Sequence, residues 1–345
     1  MAYELSPPTS PGGAWTEVVL HSFNGPDGEH PYTALVMGPS GALYGVTADT
    51  EGGYGTAFEL DPPTDGGTHW PYTVIYQFTD VYGAPSGGLA FGPGGSLYGE
   101  LGGAGETQGT VYSLTPPSSA GGAWTETNLY NFPEGSGGSR PRGTLAVGNN
   151  GRLFGVTENG GRANELCNGG CGTVFSLTPP AFPGGPWTNT PLYAFKPQVG
   201  DGQYPLGRVL IGPGGVLYGT TSLGSTKSNN GGNVFSLTPP AVFGELMAET
   251  ILCSFTQFED FPESSLALAP NGVLYGTTSS NPGTVFELAP PASPGGSWTE
   301  TVLHSSTDGG GFAPYGPTLG PDGTLYGTTG GGGAFNHGTV FSLTP

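Results

Sequence analysis

Five side chains of this sequence are of types that recognise or cut a sugar: Tyr32, Arg142, Arg208, Glu263 and Tyr315. Four of them directly follow a proline (Pro31, Pro141, Pro262, Pro314), and Arg208 lies three residues beyond Pro205. A glutamate or tyrosine held beside a glycosidic bond can act as general acid or base. An arginine beside it can neutralise an acidic sugar. The same set also suits a polar, aromatic-lined binding pocket without catalysis. In a third arrangement, Arg142 or Arg208 pairs with Glu263 and plugs the space. Other catalytic signatures are scarce. No helix is expected that would carry a nucleophile elbow, and the phosphate-binding Gly-x-x-x-x-Gly-Lys-Ser pattern is missing. His21 and His304 occupy a slot that is tyrosine in three of the six copies of a repeat, so packing is expected of them.

The positions of those five residues follow from internal repetition. Leu-(Tyr/Phe)-Gly recurs at Leu43, Leu97, Leu153, Leu217, Leu274 and Leu325, at spacings of 54, 56, 64, 57 and 51 residues. Each copy continues through a Gly-rich loop into a Gly-Thr-Val-Phe-x-Leu strand. A Pro-rich turn and a Trp-Thr-Glu-Thr-x-Leu-Tyr-x-Phe strand come next. Trp15, Trp70, Trp124, Trp187 and Trp298 open the latter, with Met247 in the remaining copy, and Ser306 replaces the closing Phe once. A Pro-x-x-x-Leu strand then leads back to Leu-Tyr-Gly. Alternating faces and four short strands per unit predict an all-β, six-bladed β-propeller with four antiparallel strands per blade. The strands are named A (after the Pro), B (Leu-Tyr-Gly), C (Thr-Val-Phe) and D (Trp). Small, apolar A is expected innermost and bulky D outermost. The first residues of A (Tyr32, Ser86, Arg142, Leu206, Glu263, Tyr315) should then ring the mouth of a central channel.

The whole chain, 1–345, reads as one propeller domain with repeats of about 51–64 residues. Its N-terminus carries an extra piece. Residues 1–8 (Ala2-Tyr3-Glu4-Leu5-Ser6-Pro7-Pro8) resemble strand C, so C occurs seven times and the other strands six times. The D strand from Trp15 to Phe23 is expected to close the ring as outer strand of the last blade. Residues 1–8 are then a surplus strand competing with 338–345 for one slot, expected either as a frayed end left by a cut inside a repeat or as a strand exchanged with another copy of the chain.

Composition narrows the partners. Lys plus Arg number 7 and Asp plus Glu 26, a net charge of −19, which disfavours nucleic acid and anionic membrane. No apolar run is long enough to span a bilayer. Acids gather in the B–C and D–A loops, among them Asp27, Glu29, Asp49, Glu51, Asp201, Glu259, Asp260 and Asp308. Such oxygen donors suit Ca2+, but EF-hand spacing is missing, and a solvated acidic face is the plainer expectation. Cys167-Asn-Gly-Gly-Cys171 has a spacing that permits a loop disulfide. Cys253 stands in the Tyr/His slot and is expected to pack.

Leu-Tyr-Gly-Thr-Thr at 217–221, 274–278 and 325–329, Gly-Thr-Val-Phe-x-Leu-x-Pro and Trp-Thr-Glu-Thr-x-Leu together resemble the GloVer tandem-repeat family. These are bacterial proteins described as "choice-of-anchor". The resemblance extends over essentially the whole chain. It implies export and surface display, and it brings no established activity or catalytic residue. The sequence therefore points to a secreted or cell-surface propeller that binds a glycan or surface ligand, or builds by self-assembly. A polysaccharide lyase or hydrolase is the competing expectation.

Overall fold

The computed structural model describes residues 1–345 apart from 11–12, 51–52, 65–66, 80–82, 104–107, 120, 134–136, 162–166, 168, 197–199, 225–230, 242–244, 256–260, 280–282, 294 and 307–311. The architecture is all-β and belongs to the six-bladed β-propeller class, with six four-stranded antiparallel sheets. By internal contacts the chain divides into two compact units, Met1–Phe132 and Pro133–Pro345.

The first unit opens with β1 (Ala2–Ser6) and β2 (Thr16–His21), which pair with each other. Two complete sheets follow: β3 (Val36–Met37), β4 (Leu43–Val46), β5 (Thr56–Leu60) and β6 (Tyr72–Gln77), then β7 (Ala90–Phe91), β8 (Leu97–Leu101), β9 (Thr110–Thr115) and β10 (Thr125–Asn131). The second unit holds three more complete sheets. They are β11 (Ser139–Val147) to β14 (Thr188–Ala194) through β12 (Leu153–Asn159) and β13 (Thr173–Thr178); β15 (Leu210–Ile211) to β18 (Ala248–Ser254) through β16 (Leu217–Thr221) and β17 (Asn233–Thr238); and β19 (Ala267–Leu268) to β22 (Thr299–Ser305) through β20 (Leu274–Thr278) and β21 (Thr284–Ala289). In the last sheet, β23 (Phe312–Pro314) and β24 (Thr318–Leu319) both lie along β25 (Leu325–Gly331), and β26 (Val340–Leu343) takes its other edge.

Within every complete sheet the order is A-B-C-D, as the repeat predicts. Strand A is regular over only two residues in four of these five sheets, shorter than the roughly six expected. Its entry proline lacks an N–H for the ladder. Neighbouring A backbones also crowd one another. A Cβ on Gly143 would lie 2.9 Å from the Leu206 carbonyl oxygen, and one on Gly207 would lie 2.7 Å from that of Ser264. Such proximity of successive A segments is what the innermost position demands.

The glycine of Leu-Tyr-Gly has an equally concrete cause. A Cβ on Gly155, Gly219 or Gly276 would fall 2.6, 2.6 or 2.4 Å from the ring of Phe175, Phe235 or Phe286 on the adjacent C strand. The aromatic ring lies across the glycine, so any side chain there would displace it. The closing Phe of one blade's D strand then packs on the C-strand ring of the next, at 5.1 Å for Phe78–Tyr112, 5.2 Å for Phe195–Phe235 and 5.1 Å for Phe255–Phe286. The core is thus a series of clusters between adjacent sheets.

The expected ring closure is corrected by the pairing. β2 joins β1 instead of β26, and neither β2 nor β26 has a further strand partner among the described residues. Residues 1–8 are accordingly a paired strand. The register runs Ala2 opposite His21, a bulge, then Tyr3 opposite Val19. It reproduces Val285 opposite His304, a bulge, then Phe286 opposite Val302 in a complete blade. A turn of only nine residues joins β1 to β2, so closing this hairpin costs little chain entropy.

Candidate functional site

In the second unit, Arg142, Glu263 and Tyr315 stand at the entries of three A segments, each beside its proline. Arg140, just before Pro141 in β11, takes a left-handed backbone (φ 54°). The Arg142 Nε lies 2.9 Å from Glu158 Oε2 on β12 of the same sheet. Glu158 Oε2 has no aligned hydrogen-bond donor, so the contact is a charge pair and not a directed hydrogen bond. Arg142 therefore pairs with Glu158 and not with Glu263, against the expectation of an Arg–Glu263 plug.

Arg142 is nevertheless close enough for its charge to be felt at Glu263. Crowding by surrounding protein raises the Glu263 carboxyl above the ordinary range; a hydroxyl from Ser279 (3.5 Å) and the Arg142 charge partly oppose this. Burial lowers the pKa of the Arg208 guanidinium, and its backbone N–H donates to Ser265 Oγ at 3.0 Å. Tyr315 points outward, 61% exposed, and its backbone N–H donates to the Thr328 carbonyl at 2.8 Å. In the first unit Tyr32 is 77% exposed and stacks on His30 at 5.3 Å. Both tyrosines are thus left in solvent, and the direct partner of Arg142 is Glu158.

A strongly perturbed, hydrogen-bonded acid was not singled out from sequence. Glu249 on β18 accepts a hydrogen bond from the Tyr193 hydroxyl on β14 at 2.7 Å. Burial, with a hydrogen bond shared with Asp201, pushes Glu249 up to about 8, while Tyr193 and Lys196 pull the other way. Asp201 Oδ2 in turn accepts the Lys196 backbone N–H at 2.7 Å. The signal lay in the repeat. Tyr193 is the seventh residue of one D strand and Glu249 the third of the next. Cys253 and Glu300 occupy the same two places one blade on, with Sγ donating to Oε2 at 3.4 Å. In the first unit the pair is His21 and Tyr72, stacked at 3.9 Å.

Two of the described loop acids are engaged by histidines. Asp27 bonds His21 at 2.8 Å and Asp49 bonds His30 at 3.2 Å. Burial would raise the Asp27 carboxyl, but hydrogen bonds from the Asn24 N–H and His21 outweigh it and lower the pKa. Glu51, Glu259, Asp260 and Asp308 lie outside the described residues. Among the described residues, no group of three His, Cys, Asp or Glu side chains is placed to hold a metal. Cys167 and Cys171 form a disulfide and are fully buried, with Cα atoms 5.3 Å apart.

The model of the Gloeobacter/Verrucomicrobia repeat matches three overlapping stretches, 2–165, 65–282 and 167–345. The chain belongs to this family. Each matched stretch spans several of the A-to-D units traced above. No curated protein matches the chain in sequence. Solved structures share the fold at low identity. The PQQ-bound aldose sugar dehydrogenase of Streptomyces coelicolor has a TM-score of 0.55 at 15% identity, covering 92% of this chain and 95% of that one. A candidate 6-phosphogluconolactonase from Bacteroides uniformis gives 0.57 at 14%, covering 91% and 81%. A luciferin-regenerating enzyme gives 0.54 at 13%, covering 92% of each. At such identities the likeness concerns the fold alone. No helix among the described residues is long and apolar enough to cross a membrane.

Proposed function

We propose that the six repeats work as one propeller domain outside the cell or on its surface, as a binding and building module and not as a catalyst. The observation that carries this reading is where the reactive side chains are used. Tyr193 with Glu249, Cys253 with Glu300, and His21 with Tyr72 all sit at the same two repeat positions and join one blade to the next. Arg142 is held by Glu158 on its own sheet. The buried Cys167–Cys171 disulfide supports an oxidising compartment. The ligand this reading favours is a neutral glycan or other surface partner met in the second unit by Arg142, Arg208, Glu263 and Tyr315, with the exposed Tyr32 offering a separate contact on the first. The charge of −19 disfavours polyanions.

A second reading is favoured by one observation. Glu263 has a raised pKa beside the Arg142 charge, an arrangement suited to a general acid acting on an acidic polysaccharide. A polysaccharide panel, assayed both for retention of the protein and for product release, separates the two. Retention without product is expected. Product release that disappears in Glu263→Ala would replace the module with a lyase or hydrolase.

A further inference from the structure

The last sheet lacks something its neighbours have. β26 pairs with β25 in the usual register, Phe341 opposite Gly327, so its other edge is the one that β22 occupies on β21. Burial records the difference. Val174, Val234 and Val285 are 0%, 0% and 3% exposed, whereas their counterpart Val340 is 46% exposed. Phe175, Phe235 and Phe286 are fully buried, and Phe341 is only partly so. A side-chain position is open as well. Tyr193 and Cys253, seventh in their D strands, each meet the glutamate at the third place of the next D strand. His304 is the corresponding residue of β22. It lines a cavity with Phe341 and Leu343, beside the edge where the next D strand would lie.

We infer that the outer edge of β26 is an interaction surface for a second copy of this chain, which supplies its Trp15–Phe23 strand. This deepens the reading of the chain as a building module and rests on it. Five D strands belong to complete four-stranded sheets; β2 belongs to a two-stranded one. Its third residue is Glu17, the residue type that Tyr193 and Cys253 meet at this place. Its present partner β1 is a C-type strand in the blade register. β26 of one copy therefore replaces β1 of another, like for like. Ser342 then falls opposite Val18, as Glu287 does opposite Thr301 and Glu4 opposite Val18. Covering Val340 and pairing Glu17 with His304 favour the exchanged state, and the linkage runs head to tail.

The test mixes two proteins with one free cysteine each, in a Cys253→Ser background that keeps the Cys167–Cys171 disulfide, Val18→Cys in one and Ser342→Cys in the other, and bridges them with a short bis-maleimide. A product of twice the chain mass is expected, with severalfold higher yield after deletion of residues 1–8, which removes the competing strand. Glu17→Lys should lower the yield severalfold, and adding His304→Glu should restore it. The inference is overturned if the mixture gives no product while a single chain carrying both cysteines bridges within itself. It is equally overturned if neither bridges. In either case the glycan panel still decides the module reading separately, since retention without product does not depend on the β26 edge.

Discussion

Ser306 is the one place where the closing phenylalanine of a D strand is missing, and the gap it leaves can be weighed. The Ser306 N–H donates to the Gly283 carbonyl at 3.0 Å, the bond that Phe78, Phe195 and Phe255 make to Gly55, Gly172 and Gly232 at 3.0–3.1 Å. The backbone is therefore already placed for phenylalanine. Beside it lies a cavity of about 90 Å3 lined by Ser306, His304 and the Phe341 ring. At ~24 cal/mol per Å3, filling that volume is worth ~2 kcal/mol. An aromatic pair like Phe255–Phe286 adds roughly 1 kcal/mol, and fixing the new side chain removes a comparable amount. Ser306→Phe should therefore stabilise the protein by ~2 kcal/mol, a rise of about 3 °C in Tm for a chain of this size. Urea titration and calorimetry of the wild type, Ser306→Phe and Ser306→Ala would measure it, with Ala within ~0.5 kcal/mol of wild type. An unchanged or lowered midpoint for Ser306→Phe would refute the view that the cavity is a vacated aromatic socket.

Three further outcomes follow from neighbouring contacts. Tyr112 holds the place of the C-strand phenylalanine, and its buried hydroxyl has no hydrogen-bond partner among the described residues, so Tyr112→Phe should stabilise by about 1 kcal/mol in denaturant titration. Gly276→Ala would place a methyl 2.4 Å from Phe286 and 2.8 Å from Leu266; a loss of about 2 kcal/mol or more is expected, and a neutral result would contradict the ring-on-glycine packing. The Glu249 carboxyl, pushed up to about 8, keeps its proton in the folded state after its unfolded counterpart has ionised near pH 4.5. Stability should thus fall as pH rises from about 4.5 to 8, by at most ~1.4 kcal/mol per pH unit, and level off above. Glu249→Gln should flatten that slope in melting curves recorded across the range.

The blades were legible because their causes repeat. Gly276 is required by Phe286 in the way Gly219 is by Phe235, so six copies of one steric constraint appear as six copies of one motif. The partner of β2 was not legible. Its sequence fits β1 and β26 equally, and the choice turns on loop length and not on side-chain type. The candidate site was legible in residue type and position only. Nothing about Arg142 in sequence indicates that Glu158, sixteen residues on, would take its charge, because B-strand position 158 carries an acid in no other copy. Glu249 was hidden for a different reason. Its environment comes from Tyr193 in the preceding blade, and a scan for local motifs does not align residues fifty-six positions apart.

The aromatic contact between successive blades also bears on how such chains change in number. Within each unit, successive blades meet in the same way, a phenyl ring leaving one blade and a ring lying over glycine in the next. Any repeat unit can then succeed any other, and unequal recombination between its coding copies can lengthen or shorten the array without a compensating substitution. The junction at Ser306 is the exception. A unit spliced in after β22 would meet a vacant socket, so gains and losses of repeats are tolerated upstream of residue 306 and penalised at it, giving an otherwise interchangeable series a fixed end.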